Sequence, residues 1–262
     1  MTNGDRPWRR RAIVAGGTLA VAAWVVGIPR LASLWPAPLH YTDIAGLAPF
    51  RELTTAGTLS TLTGLLTGLD GQAPPDLTQQ ALIAAVRADP CNALFGSQTD
   101  PRLPVAFFSD FNCPNCRVLE AILTRYDVQN PGTIRIIHHE LPLLGADSVT
   151  ASKAVLAADR QGGYPAMRNR LLRARLVTDT NLMMAMANSV GLDGARLVAD
   201  MQSPELEAAL DESRAIAAVF GFYGTPSTVI GHTVFLGALP DADVRQIIEE
   251  ELAASPACAA AS

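Results

Sequence analysis

Two cysteines three positions apart, in Cys113-Pro114-Asn115-Cys116, stand between an apolar run and a helical run. No other feature of the chain constrains its fold as much. Before them, Pro104-Val-Ala-Phe-Phe-Ser is a compact apolar run of strand type. After them, Arg117 to Tyr126 places Val118, Leu119, Ile122 and Leu123 on one helical face. Gly132 and Thr133 then open Ile134-Arg-Ile-Ile-His-His, a β-rich segment. The order is strand, turn with two cysteines, helix, strand: a βαβ unit with the cysteine pair at the helix start.

A helix N-terminus presents unpaired N–H groups and the positive end of its dipole. Both stabilise a thiolate on the first sulfur, Cys113, and lower its pKa from the usual value of about 8.5. A low-pKa thiol is also a good leaving group, so a mixed disulfide at Cys113 is readily resolved. Cys116 lies one turn deeper and is the expected resolving thiol. Pro114 lacks an N–H that the first turn leaves unpaired in any case. Two other readings exist. A purely structural disulfide closes too small a loop to stabilise much. A zinc site needs four ligands, usually with a second CxxC or HxxxH pair, and Cys91, Cys258 and the four His do not have that spacing. No metal is expected. In a βαβ context the pair is the thioredoxin-like redox signature.

The compartment bears on the cysteines. Arg9-Arg10-Arg11 is followed by Ala12 to Ile28, 17 residues without a charge, ended by Pro29 and Arg30. A bilayer core needs roughly 17–25 apolar residues, so residues 1–36 read as a basic stub and a transmembrane anchor. The positive-inside rule keeps its N-terminus in the cytoplasm. The alternative is a cleaved signal peptide, but no clean Ala-x-Ala follows Ile28. The body then lies outside the cytoplasm, on the periplasmic side of an inner membrane, where disulfides persist. Residues 1–36 hold five Arg and one acid, and the remainder 15 basic and 24 acidic residues. An acidic body argues against nucleic acid as a partner.

The rest of the chain divides by pattern. Residues 37–83 are rich in Pro, Gly and Thr and read as an irregular linker, although Leu77 to Ala88 has helical spacing with Asp76 or Thr78 as its cap. From Asp147 to Phe220 the pattern is helical throughout, with breaks at Gly162-Gly163, near Thr178-Asp179, at Gly191 to Gly194 and at Ser203-Pro204. Ser227-Thr-Val-Ile, Gly231-His232 and Thr233-Val-Phe-Leu read as a β-hairpin with a two-residue turn. Pro240 and Asp241 open a last amphipathic helix to Leu252, and residues 253–262 form a small-residue tail.

Phe108-Ser-Asp-Phe-Asn-Cys-Pro-Asn-Cys resembles the active-site segment of DsbA-like thiol–disulfide oxidoreductases. The helical block resembles the helical domain inserted in that family, and Gly224-Thr225-Pro226-Ser227 resembles its cis-proline loop. The resemblance covers roughly residues 84–252. It implies an α/β fold, a thioredoxin-like sheet with a helical insertion at about 147–220. It also implies a cis Pro226 that, with Thr225, positions an extended substrate beside Cys113. The only redox cofactor implied is the protein's own disulfide. Strong oxidants of the family carry His between the cysteines, where this chain has Pro114-Asn115. Many thioredoxin-like enzymes have a buried carboxylate six residues before the first cysteine, where this chain has Phe107. Asp110 is nearer in sequence, as a proton acceptor or a loop cap.

Smaller features complete the reading. His138 and His139 are adjacent on a strand and point to opposite faces, so at most one touches the redox centre. His232 sits in a turn. Cys91 and Cys258 are candidates for a second, structural disulfide, worth up to about 4–5 kcal/mol in the chain-entropy model. Met183, Met184 and Met186, with Met167 and Met201, are either adaptable surface or helical core. The expected function is disulfide formation in unfolded or misfolded exported proteins, with a membrane redox partner recycling the pair. The alternatives are an isomerase or reductase kept reduced by a membrane partner, and a non-catalytic, membrane-anchored binding or assembly protein on the same scaffold.

Overall fold

The computed structural model describes residues 38–54, 76–96, 99–174, 179–254 and 258. The expected membrane segment, Ala12 to Ile28, lies outside the described residues. Among the described residues no helix is long and apolar enough to cross a membrane.

A six-stranded sheet carries the chain. Its strands are β1 (Tyr41–Asp43), β2 (Arg51–Leu53), β3 (Leu103–Ser109), β4 (Ile134–Glu140), β5 (Ser227–Ile230) and β6 (Thr233–Leu236), in the spatial order β1-β2-β6-β5-β3-β4. The helices are α1 (Leu77–Ala88), α2 (Pro90–Phe95), α3 (Pro114–Gln129), α4 (Ala146–Asp159), α5 (Tyr164–Leu172), α6 (Thr180–Ser189), α7 (Gly194–Asp200), α8 (Pro204–Phe220) and α9 (Asp241–Ala253).

Every residue of β3 is buried. It lies between β4, to which it is parallel, and β5, to which it is antiparallel. Helices cover both of its faces, which is why it reads as an unbroken apolar run rather than an alternating one. Val105 and Phe107 pack with Leu119, Leu123 and Tyr126 of α3 and with Val244, Ile247 and Ile248 of α9. Ala106 and Phe108 pack on the other face with Val86 of α1, Leu94 and Phe95 of α2, and Ile216 and Phe220 of α8. Phe107 and Phe108 are fully buried, and truncating either to Ala costs about 3–5 kcal/mol.

The helical insertion has its own core. Ala151, Ala154 and Ala158 of α4 leave room for Met167 and Leu171 of α5, Met183 and Met186 of α6, Leu197 of α7 and Leu206 of α8. The three methionines are at most 2% exposed, so they fill this core and present no binding surface. Asp179 and Asp193 cap α6 and α7 by accepting backbone N–H bonds. Pro204 occupies the first turn of α8, and Gly221, at φ +71, ends it in the left-handed conformation that Gly adopts most readily.

The irregular reading of residues 37–83 is corrected at its start, while the helix read over Leu77 to Ala88 forms with Asp76 as its cap. β1 and β2 pair antiparallel, and β2 runs parallel to β6 with Arg51 opposite Thr233. The domain therefore starts well before residue 84, and α1 already begins at Leu77. These strands are three residues long and mostly polar, so no local pattern marks them. Their partners hold them: Arg51 N–H donates to His232 O at 2.9 Å, and Arg51 Nη2 donates to Glu251 Oε1 of α9 at 3.0 Å. Glu251 Oε1 also accepts from Thr233 Oγ1 at 2.6 Å, and its Oε2 from the His232 N–H at 2.9 Å. The turn between β5 and β6 is the expected Gly231-His232 pair, with Gly231 at φ +57. Cys91 of α2 is joined to Cys258 by a disulfide across 167 positions.

Candidate active site

The turn before α3 is built on Asp110, which is buried. Its Oδ1 accepts from the Asn112 N–H at 2.7 Å and from Ser148 Oγ at 2.7 Å. Its Oδ2 accepts from the N–H groups of Leu143 and Leu144 at 2.8 and 2.9 Å. Its carbonyl accepts from Cys113 N–H at 3.1 Å. Asp110 therefore joins the end of β3 to the loop after β4 and to the start of α4. Of the two roles open to it, the structure shows the loop cap.

That turn delivers Cys113 as the N-cap of α3, with extended backbone and Pro114 in the first turn. Cys113 Sγ accepts from the Cys116 N–H at 3.3 Å and donates to Thr225 O at 3.2 Å. Cys113 and Cys116 are both free thiols, 4% and 1% exposed. Pro114 and Asn115 between them are exposed. A hydrogen bond from the Cys116 side chain holds the Cys113 thiol down at about 6 against its burial. The Thr225 side chain and the N–H groups of Cys116 and Asn115 act in the same direction. Burial, followed by the bond to Cys113, pushes the Cys116 thiol far up. One sulfur is thus a ready thiolate and its neighbour holds its proton, which is the asymmetry that an attacking and a resolving thiol require.

Thr225–Pro226 is a cis peptide, and Pro226 is buried at the start of β5. Thr225 meets Cys113 from the side opposite α3. Its carbonyl accepts from the sulfur at 3.2 Å, and its side chain acts on the same sulfur. Cys91 and Cys258 lie elsewhere, against the core on the α1–α2–α8 face of the sheet, whereas Cys113 and Cys116 belong to the α3–α9 face.

The histidines are placed by their neighbours. His139 stacks on Phe108 at 4.4 Å between ring centres and hydrogen-bonds Leu94 O at 2.9 Å. Burial drives its pKa down to about 4. His138 packs edge-on to Phe107 and beside Tyr164, and burial lowers its pKa well below the usual value, with Arg168 next in effect. His232 is at the far end of the sheet, where Gly231 N–H donates to Pro104 O at 3.0 Å. Neither His139 nor His232 belongs to the cysteine centre. Among the described residues no group of three or more His, Cys, Asp or Glu could hold a metal ion.

The sequence reading missed a buried ionic cluster beside this site. Arg168 of α5, 4% exposed, reaches Glu120 of α3, Glu140 of β4 and Ser109 of β3. An Arg inside an amphipathic helix carries no local mark of burial, so only the fold reveals it.

The family profile described as DSBA-like thioredoxin domain matches residues 104–249. Among solved structures, a thioredoxin-like oxidoreductase from Silicibacter pomeroyi DSS-3 aligns at 30% identity and a TM-score of 0.57, over 63% of this chain and 99% of that one. The catalytic domain of Proteus mirabilis ScsC aligns at 25% identity and 0.56, over 67% and 99%. The thiol–disulfide exchange protein α-DsbA2 from Wolbachia pipientis, at 19% identity and 0.55 over 68% and 99%, shares the fold. No curated protein matches significantly.

Proposed function

We propose, from the premise that this chain belongs to the DSBA-like thioredoxin domain family and is a thiol–disulfide oxidoreductase, that it forms disulfides in exported proteins while tethered to the inner membrane. The observation that carries this reading is the Cys113 sulfur at the cap of α3, hydrogen-bonded by Cys116 N–H and facing Thr225.

In the proposed cycle a substrate thiolate attacks Cys113 Sγ of the oxidised pair. The S–S bond breaks, and Cys116 leaves as a thiolate and takes up a proton, which its burial strongly favours. A second substrate thiolate then attacks the substrate sulfur of the mixed disulfide, and Cys113 leaves as a thiolate. The substrate loses two electrons and the pair gains them. A membrane redox partner returns the pair to the disulfide. Thr225 and Pro226 position the substrate backbone beside Cys113. Exposed apolar side chains next to the centre support a polypeptide substrate: Leu143 and Leu144 on the loop tied to Asp110, Val118 on α3, and Tyr223 before Thr225. Tethering by residues 12–28, with the catalytic body on the periplasmic side, would confine the enzyme near such a partner and raise its effective concentration there.

The second reading is an isomerase or reductase kept reduced, and one observation favours it. A Cys113 thiol at about 6 lies between the values of about 7 for thioredoxin and about 3.5 for DsbA. Relative to an ordinary thiol, this stabilises the reduced form at pH 7. That is a modest oxidising push.

Glutathione equilibration of the Cys113–Cys116 couple decides between the readings. A potential near about −120 mV supports net oxidation, whereas about −200 mV or lower favours isomerase or reductase work. Absence of a reversible couple overturns both.

A further inference from the structure

Arg168 makes three kinds of contact at once. Nε and Nη2 grip both oxygens of Glu120 at 2.7 and 3.0 Å. Nη1 donates to Glu140 Oε1 at 2.8 Å, and Nη2 also donates to Ser109 Oγ at 2.8 Å. Tyr164 OH closes the cluster on Glu140 Oε1 at 2.5 Å. The guanidinium lies over the Phe111 ring, 5.2 Å from its centre. Arg168 and Tyr164 belong to the insertion. Ser109 and Glu140 are the last residues of β3 and β4 and stand opposite each other in the register. Phe111 is in the turn that leads to Cys113.

Glu120 is the link to the redox centre. It follows Cys113 by seven positions and Cys116 by four, and helical spacing of three and four puts all three on one stripe of α3. A second, independent tie joins the same elements in the other direction: Arg117, the residue after Cys116, donates to Leu172 O at the end of α5 and to Phe111 O at 3.1 Å. The insertion thus holds the active-site helix at its first and second turns, and holds the strand ends from which the cysteine turn departs.

Stability alone explains this cluster poorly. Buried ion pairs are often no better than apolar side chains of similar volume, because desolvating the charges offsets their attraction. A planar five-donor fork, however, fixes direction in a way that a point charge or an apolar side chain does not.

We propose that Arg168 is a positioning residue for the redox centre, holding the first turn of α3 in register with the turn Ser109–Cys113 by gripping Glu120 from the helical insertion. It acts through Glu120 and does not touch the sulfurs. The proposal rests on Cys113 being the attacking thiol.

The test uses the reduced full chain and two variants, with Cys113 thiolate absorbance titrated against pH and the potential of the pair measured alongside. Arg168→Lys keeps the charge and loses the fork. It is expected to weaken the N–H contacts at Cys113 and raise its proton affinity by roughly threefold to tenfold, tenfold being one pKa unit. The potential moves in the reducing direction, by at most about 30 mV for a tenfold change. Glu120→Gln leaves the Arg168–Glu140 pair in place and separates two causes. Loss of positioning raises the proton affinity of Cys113, whereas loss of a nearby negative charge lowers it. A rise supports the proposal; a fall or no change overturns it. If Arg168→Lys does not fold, Glu120→Gln decides alone. A folded Arg168→Lys with unchanged titration and potential makes the cluster structural only. A parent chain with no low-pKa thiol overturns instead the role given to Cys113.

Discussion

The Cys113 thiol donates to the carbonyl oxygen of Thr225 at 3.2 Å, across 112 positions of the chain. The sulfur is thereby held between the N-terminus of α3 and the loop that opens β5. An incoming sulfur has to approach along the remaining open side, past the exposed Pro114 and Asn115. Geometry at this one contact therefore sets both the direction of attack and the backbone that the substrate meets.

The pH dependence of attack follows from the thiol held at about 6. The reactive form is the thiolate, so reactivity is present above that pH and is lost as pH falls through it. Alkylation of the reduced chain by iodoacetamide is expected to reach half its plateau near pH 6, at Cys113 only. Mass spectrometry of the labelled chain checks the site. A midpoint near the ordinary thiol value of about 8.5 would show that the hydrogen bonds from Cys116, Thr225 and the Asn115 N–H do not offset the burial of this sulfur.

Removing the resolving sulfur separates the two steps. Cys116→Ser is expected to attack disulfides and then stall, accumulating mixed disulfides through Cys113 that non-reducing gels reveal. Cys113→Ser is expected to form none. If Cys116→Ser turns over at the rate of the parent, another group resolves the intermediate and the division of roles given above is wrong.

Asp110→Asn replaces an oxygen by an amide that cannot accept hydrogen bonds. The Leu143 and Leu144 N–H donors, or Asn112 N–H and Ser148 Oγ, then face an NH2 group. Leaving buried donors unpaired costs about 1–3 kcal/mol, so urea unfolding is expected to move by that amount. An unchanged midpoint would mean that the turn is held by packing alone.

At the far end of the sheet, a Cβ on Gly231 would lie 2.3 Å from Glu251 Oε2, and the residue is already at φ +57. Gly231→Ala is expected to cost roughly 1–3 kcal/mol, while the Cys113 titration stays where it was. A shifted thiol titration in this variant would couple the two ends of the sheet, which nothing in the contacts of Glu251 provides for.

What the sequence reveals here depends on how local each pattern is. The run Pro104–Ser109, the cysteine pair, the helix after it and the Gly231-His232 hairpin are all specified by neighbours within a few positions, and each folds as read. β1 and β2 are three residues each, and their register is set by His232, Thr233 and Glu251, about two hundred positions away. Arg168 reads as an ordinary polar residue of a helix because its partners, Ser109, Glu120 and Glu140, are 28 to 59 positions distant. Asp110 is legible as a polar residue in a turn, but three of its four side-chain acceptor contacts emerge only when the loop after β4 and the start of α4 are laid beside it.

The sheet lies between two pairs of sulfur atoms. Cys113 and Cys116 belong to the core on one face, and the Cys91–Cys258 bridge packs against the core on the other. Electrons reach a sulfur only through direct attack by another thiolate, so this layer of backbone works as electrical insulation within a single molecule. The Cys113 and Cys116 thiols are thus kept from attacking the Cys91–Cys258 bond of their own molecule, and the enzyme can carry that disulfide without becoming its own substrate.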